Sequence, residues 1–177
     1  MKSSAEAFVT PAGAERSRAA VFADLVKARL TALVLLTTFV GFYLGERGSI
    51  QFLLMFHALF GTALVASGAA ELNQILERDY DAKMRRTATR PLPSGELQPA
   101  TAAIFGGLCS IIGLIYLAVL VNPLTSVVGA VTSVSYLFIY TPLKRVTWLN
   151  TLVGAIPGAL PPLMGWTAAR GELSGEG

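Results

Sequence analysis

Five long apolar runs, parted by short polar breaks, constrain this chain more than any other feature. They are Leu30 to Gly45, Phe52 to Leu76, Ala100 to Val121, Leu124 to Tyr140 and Leu149 to Ala169. A helix of about 20 mainly apolar residues crosses the hydrocarbon core of a bilayer, so the spacing predicts about five transmembrane helices. The first and fourth runs are short, and the first lengthens into Val26 if Lys27 and Arg29 snorkel to the interface. The apolar residues are continuous instead of alternating, which argues against a transmembrane barrel, and lipid then leaves only helices to satisfy the backbone. The expected fold class is all-α, a polytopic transmembrane helical bundle. Charged residues make up 14% of the chain, far below the roughly 25% of a soluble globular domain.

Basic residues set the orientation, because Lys and Arg gather in cytoplasmic loops close to helix ends. Twelve of the fourteen fall on one side of a five-helix arrangement: in the N-terminal tail, in the loop of residues 77–99 and in the loop of residues 141–148. Arg47 and Arg170 alone fall on the other. The split predicts a cytoplasmic N-terminus. It also accounts for most of the net charge of +3, and with no aromatic-interleaved basic face a nucleic-acid partner is not expected. Residues 1–24 lack the apolar core of a signal peptide and carry Glu6, Glu15 and Asp24, which argues against a transit peptide. They read as a cytoplasmic tail, with residues 25–177 forming the membrane domain. A single cysteine, Cys109, rules out an internal disulfide and fits small-residue packing.

Against this apolar background, NQILERDYDAKMRRTATRPLPSG, from Asn73 to Gly95, gathers charge between two membrane runs. If the second helix continues past Leu76, then Asn73, Glu77 and Asp81 fall four residues apart and share one stripe. Asp79 lies on another face, with Ile75 and Lys83. Two carboxylates on one stripe repel unless a cation sits among them. Oxygen donors of this kind suit Mg²⁺, which takes one or two carboxylates and completes its shell with substrate phosphates. Lys83, Arg85, Arg86 and Arg90 follow directly, and guanidinium forks bind phosphate oxygens in pairs. The alternative is a solvated loop that only signals topology. Opposing it, Asn73 lies on the apolar side of the boundary, the acids keep one face, and RPLPSG forms a proline-set turn.

This run resembles the first acidic motif of the UbiA superfamily of intramembrane prenyltransferases, and is most similar to its haem-modifying branch. Two further blocks agree in order and spacing: VKARLTALVLLTTFVGF from Val26 to Phe42, and YTPLKRVTWLNTLVGAIPGALPPLMGW from Tyr140 to Trp166. The resemblance covers about residues 22 to 173. Gln74 and Glu77 stand where quinone-pathway relatives carry Asp, which favours the haem branch, and Ala28 stands where relatives often carry Pro. The resemblance implies that Asn73, Glu77 and Asp81 are the catalytic and metal-holding residues, with Mg²⁺ as cofactor. It adds Lys144 and Arg145 to Lys83, Arg86 and Arg90 as diphosphate-binding cations. The activity it implies is transfer of a farnesyl group from farnesyl diphosphate to the 2-vinyl group of haem b, giving haem O for oxidase maturation. Membrane lipid and haem A synthase are the implied partners, and a bacterial inner membrane is the implied location.

The family's full fold has about nine helices and a second aspartate-rich motif after the sixth. The chain ends in RGELSGEG after its fifth run, so the N-terminal part of that fold is expected, and the polypeptide by itself is expected to be inactive. An aromatic acceptor of the quinone pathway and a non-catalytic membrane fragment remain alternatives. Among other residues, His57 reads as an interfacial or packing histidine. Pro157, Pro161 and Pro162 with Gly154 and Gly158 are expected to interrupt the fifth helix and line a cavity. Trp148 and Trp166 read as interface anchors.

Overall fold

The computed structural model describes residues 27–173 other than 86 and 145. The N-terminal tail, Arg86 and Arg145 therefore lie outside the described residues. Five helices are long and apolar enough to cross a membrane: α1 (Ala28–Gly45), α2 (Phe52–Asp81), α3 (Pro99–Leu120), α4 (Pro123–Leu143) and α5 (Asn150–Arg170). Pro99 and Pro123 open α3 and α4, where a missing N–H removes nothing from the ladder. The Asn122 side chain caps α4 by accepting from the Thr125 backbone N–H at 2.8 Å. Gly171, at φ 71°, ends α5 in the left-handed region that glycine enters without strain. As expected, α2 runs past Leu76, reaching Asp81.

Leu, Ile, Val and Phe side chains stand exposed along every helix. That is the surface of a bundle whose solvent is lipid, where helices associate through close packing instead of the hydrophobic effect. Glycine makes that packing close at two seams. Between α1 and α5 the backbones touch: a side chain on Gly41 would meet the Pro162 carbonyl oxygen at 1.9 Å, and one on Gly165 the Thr38 oxygen at 1.9 Å. Between α2 and α3, a side chain on Gly68 would meet Ser110 Oγ at 2.3 Å and the Gly106 oxygen at 2.5 Å. The fourth helix lies between α3 and α5, and a cavity remains between α1, α2, α4 and α5.

Two expectations are corrected. The fifth helix runs uninterrupted from Asn150 to Arg170 with Pro157, Pro161 and Pro162 inside it; in a membrane bundle, neighbouring helices and local adjustment compensate for the lost proline donors. Gly154, Pro157, Gly158 and Pro161 line the cavity as expected, Gly154 also making room for the Tyr140 ring, whereas Pro162 packs on Gly41 of α1 instead. Trp166 is not an interface anchor: it is buried against α1, with the Arg170 guanidinium 5.0 Å from its ring centre. Trp148 is exposed. His57 Nδ1 is hydrogen-bonded to the Tyr116 hydroxyl at 2.7 Å, which gives it a packing partner on α3 about 24 Å from Asn73 along the helical rise.

Candidate functional site

The last two turns of α2 build the site. Asn73, Glu77 and Asp81 fall on one helical stripe and are all buried. The chain's charge pattern makes this possible only where other polar groups converge, because a carboxylate without a partner at membrane depth is costly. Each acid finds one. Glu77 accepts a hydrogen bond from Asn73 Nδ2 on Oε2 at 3.0 Å, and its Oε1 is ion-paired with Lys144 at the end of α4. Asp81 Oδ2 accepts from Arg90 Nη1 at 2.5 Å.

The loop after α2 folds back to bring Arg90 there. Thr87 donates from its hydroxyl to the Asp81 carbonyl at 2.9 Å, and Leu92 is fully buried beneath the turn. On the other side, α4 contains a π-helical turn, Ser135–Tyr140. Such a wide turn re-aims the residues at its end and is frequent at functional sites. Here Tyr136 and Tyr140 stack with ring centres 5.9 Å apart, and both line the cavity. The Thr141 hydroxyl lies 2.7 Å from Asn73 Oδ1 and 2.8 Å from the Tyr136 carbonyl, donating to one at a time. Asn73 is thereby fixed with its amide N–H toward Glu77 and its oxygen toward α4.

The cavity has a volume of about 450 Å³. Its rim carries Asn73, Glu77, Arg90, Lys144 and Lys27. Below that rim the lining is mostly apolar, with Leu30, Val34, Val65, Ala69 and Met164 among its walls. The arrangement is amphipathic, with paired charges at one end and a hydrocarbon-lined chamber under them. That geometry accepts a molecule with an anionic head and an apolar tail.

Of the residues singled out in the sequence, the structure brings Asn73, Glu77, Arg90 and Lys144 to one cavity. Asp81 stands one step aside, joined to it through Arg90. Lys83 is not brought in: it is exposed, with its ammonium 5.7 Å from the centre of the Tyr80 ring. Asp79 is exposed on the other face of α2. Among the described residues, no three His, Cys, Asp or Glu side chains group as a metal site. The oxygen donors are Glu77, Asp81 and the Asn73 amide, a partial set for a hard cation whose remaining ligands would be phosphate and water.

Sequence reasoning placed Lys27 at the lipid interface, but it lines the cavity. Its backbone is left-handed, at φ 48° and ψ 54°, which is strained for any residue but glycine and concentrates at functional sites. Burial lowers its pKa to about 8, Arg90 and Lys144 push the same way, and Glu77 and Asp81 oppose them. Tyr136, Tyr140 and Thr141 were also missed. The one available signal was their position at the end of an apolar run, facing a basic loop.

The family model described as the UbiA prenyltransferase family matches residues 34–176. A protein named protoheme IX farnesyltransferase from Solibacter usitatus is 47% identical over 164 residues, covering 88% of this chain and 56% of that protein. One of the same name from Salinibacter ruber is 48% identical over 155 residues, covering 86% and 54%. The human mitochondrial protoheme IX farnesyltransferase is 42% identical over 153 residues, covering 86% and 34%. The chain thus spans about half the length of the bacterial relatives it matches. A solved structure described as "Structural and mechanistic insights into the biosynthesis of Digeranylgeranylglyceryl phosphate synthase in membranes" superposes with a TM-score of 0.74 at 18% identity, covering 84% of this chain and 52% of that one. That likeness bears on the fold alone.

Proposed function

The chain belongs to the UbiA prenyltransferase family, and from that premise we propose that it supplies part of an enzyme that transfers the farnesyl group of farnesyl diphosphate to the 2-vinyl group of haem b, giving haem O. One observation carries the reading: the Asn73–Glu77 pair faces a cavity whose rim holds Lys27, Arg90 and Lys144 and whose depth is apolar. A prenyl diphosphate has that same division of charge and hydrocarbon. The acceptor comes from the relatives' name, protoheme IX farnesyltransferase.

The chain's own residues would act as follows. Glu77 and Asp81, with the Asn73 amide, would hold Mg²⁺, which supplies positive charge to the departing diphosphate. Lys144 is paired with Glu77 and Arg90 with Asp81. When the diphosphate binds, both cations turn to its oxygens and join Lys27 in stabilising the charge that develops on the leaving group. The C1–O bond of the prenyl diphosphate breaks with its electron pair leaving on oxygen. The π pair of the vinyl group forms the new bond to C1. Water adds to the carbon left electron-poor beside the macrocycle, and its proton is released to solvent. The apolar walls hold the tail without a desolvation cost.

The rest of the phosphate shell is assigned to the additional half that the relatives possess, so the 177-residue chain alone is expected to be inactive. The test places the full-length protein and the 177-residue chain in membranes with haem b, farnesyl diphosphate and Mg²⁺. Haem O from the full-length protein only is the expected result; no haem O from the full-length protein, or turnover of a quinone precursor in its place, overturns the reading.

A further inference from the structure

We infer that Met164 forms the floor of the apolar chamber and sets the length of prenyl chain the site accepts. The inference rests on the prenyl diphosphate reading above, and deepens it by naming what measures the substrate. From Glu77 at the rim, the α2 wall descends fifteen residues to Thr62, about 22 Å at the helical rise. At that depth three helices converge on the cavity: α2 through Thr62 and Val65, α4 through Thr132, and α5 through Met164.

Below this level the helices close on a packed apolar cluster. Met164, Val65, Leu117 and Val128 form one buried cluster, with Leu114, Leu160 and Leu163 packed against it. Met164 both lines the cavity and belongs to that cluster, as Val65 does beside it, so its side chain forms part of the boundary between chamber and core. Its Cε lies 3.0 Å from where a side chain on Gly129 would begin, so the thioether lies across α4 at a point where that helix offers no side chain of its own. Its Sδ is 4.0 Å from the Thr132 hydroxyl. One unbranched, flexible residue thus fills space that the backbone leaves empty. Shortening it joins that space to the chamber.

Thr62 makes the complementary case. It is buried at the same depth, and its hydroxyl has no hydrogen-bond partner among the described residues. A larger apolar side chain there raises the floor and removes an unpartnered hydroxyl. Apolar pockets discriminate by about 10- to 200-fold for a methylene-sized misfit, so changes of several carbons at the floor are readable in competition.

The experiment measures displacement of labelled farnesyl diphosphate from the full-length protein in lipid nanodiscs by geranyl, farnesyl and geranylgeranyl diphosphates with Mg²⁺. Circular dichroism and a thermal melt on each variant establish folding. Met164→Ala is expected to raise the affinity ratio of geranylgeranyl over farnesyl diphosphate at least tenfold. Thr62→Leu is expected to raise the geranyl over farnesyl ratio several-fold. Should Met164→Ala not fold, Met164→Val, with its smaller loss of volume, and Thr62→Leu decide the matter in the same directions. Folded variants that keep the wild-type ratios overturn the floor assignment and leave the diphosphate reading intact. A wild-type protein that binds none of the three overturns both.

Discussion

The two ends of the cavity are built on different principles. At the rim, the two carboxylates and the amide are held by named partners: Glu77 with Asn73 and Lys144, Asp81 with Arg90, Asn73 with Thr141. At the floor, position is set by shape, with Met164 packed into a cluster of Val65, Leu117 and Val128. A rim of charges in a low-dielectric setting is sensitive to one lost atom, because the partner left behind stays buried and uncompensated. A floor of hydrocarbon tolerates changes of size and answers with altered selectivity. On the proposed reading, catalytic power and substrate choice are separable, the first residing in electrostatics and the second in volume.

The largest test of that contrast is Glu77→Gln, which keeps the shape and the Asn73 neighbour but removes the charge. Haem O formation by the full-length protein is expected to fall about 10²- to 10³-fold, with thermal stability near that of the wild type. Loss of folding instead would mean that Glu77 is structural. Next is Lys144→Met, which leaves the Glu77 carboxylate without its cation and takes one charge from the phosphate end. Farnesyl diphosphate affinity in nanodiscs is expected to drop about 10- to 100-fold, while the preference among chain lengths stays put. A change in that preference would show that rim and floor are not separate.

A smaller effect is expected at Lys27, and it carries a pH signature. Its pKa is lowered to about 8, chiefly by burial. A bound anion favours the protonated lysine, so diphosphate affinity falls as pH rises through about 8, and the Lys27→Met variant loses that step. The expected loss at pH 7 is about tenfold, shrinking toward none at pH 9.5, read from titrations at both values. For stability the sign is opposite. The unfolded chain holds the lysine proton up to about 10.4 and the folded one only to about 8, so this group's contribution improves as pH rises between those values.

The smallest effect is expected at Glu71, whose two carboxylate oxygens have no hydrogen-bond partner among the described residues although the side chain is fully buried. It lies on the α2 face that packs on α3 and does not line the cavity. Glu71→Leu should therefore leave turnover unchanged, with a melting temperature equal to or above that of the wild type. A lowered melting temperature would show that Glu71 has a compensating role of its own.

Much of this was legible in the residues before any coordinates. Glu77 and Asp81 stood out because charge is rare in so apolar a chain, and the four-residue spacing from Asn73 put them on one stripe. The extension of α2 to Asp81 kept them there. Lys27 was misplaced because a lysine at the start of an apolar run ordinarily reaches for the interface; only the left-handed backbone and the packing of α1 turned it inward. Tyr136 and Thr141 offered only their place at the end of an apolar run, since the π-helical turn that re-aims them packs against α5 and α2, segments distant in the chain. Lys83 looked equal to Arg90 in sequence. The fold-back of the loop over Leu92 separated them.

By itself the sequence determined that this protein crosses a membrane as helices and that one helix end concentrates oxygen donors and cations, because continuous apolar runs and helical spacing are local properties of a chain. The tertiary structure alone decided which cations meet which carboxylates, and that a methionine on α5 closes the chamber opposite a glycine on α4. Contacts between distant segments depend on how closely backbones approach, and that distance is fixed only when the helices pack.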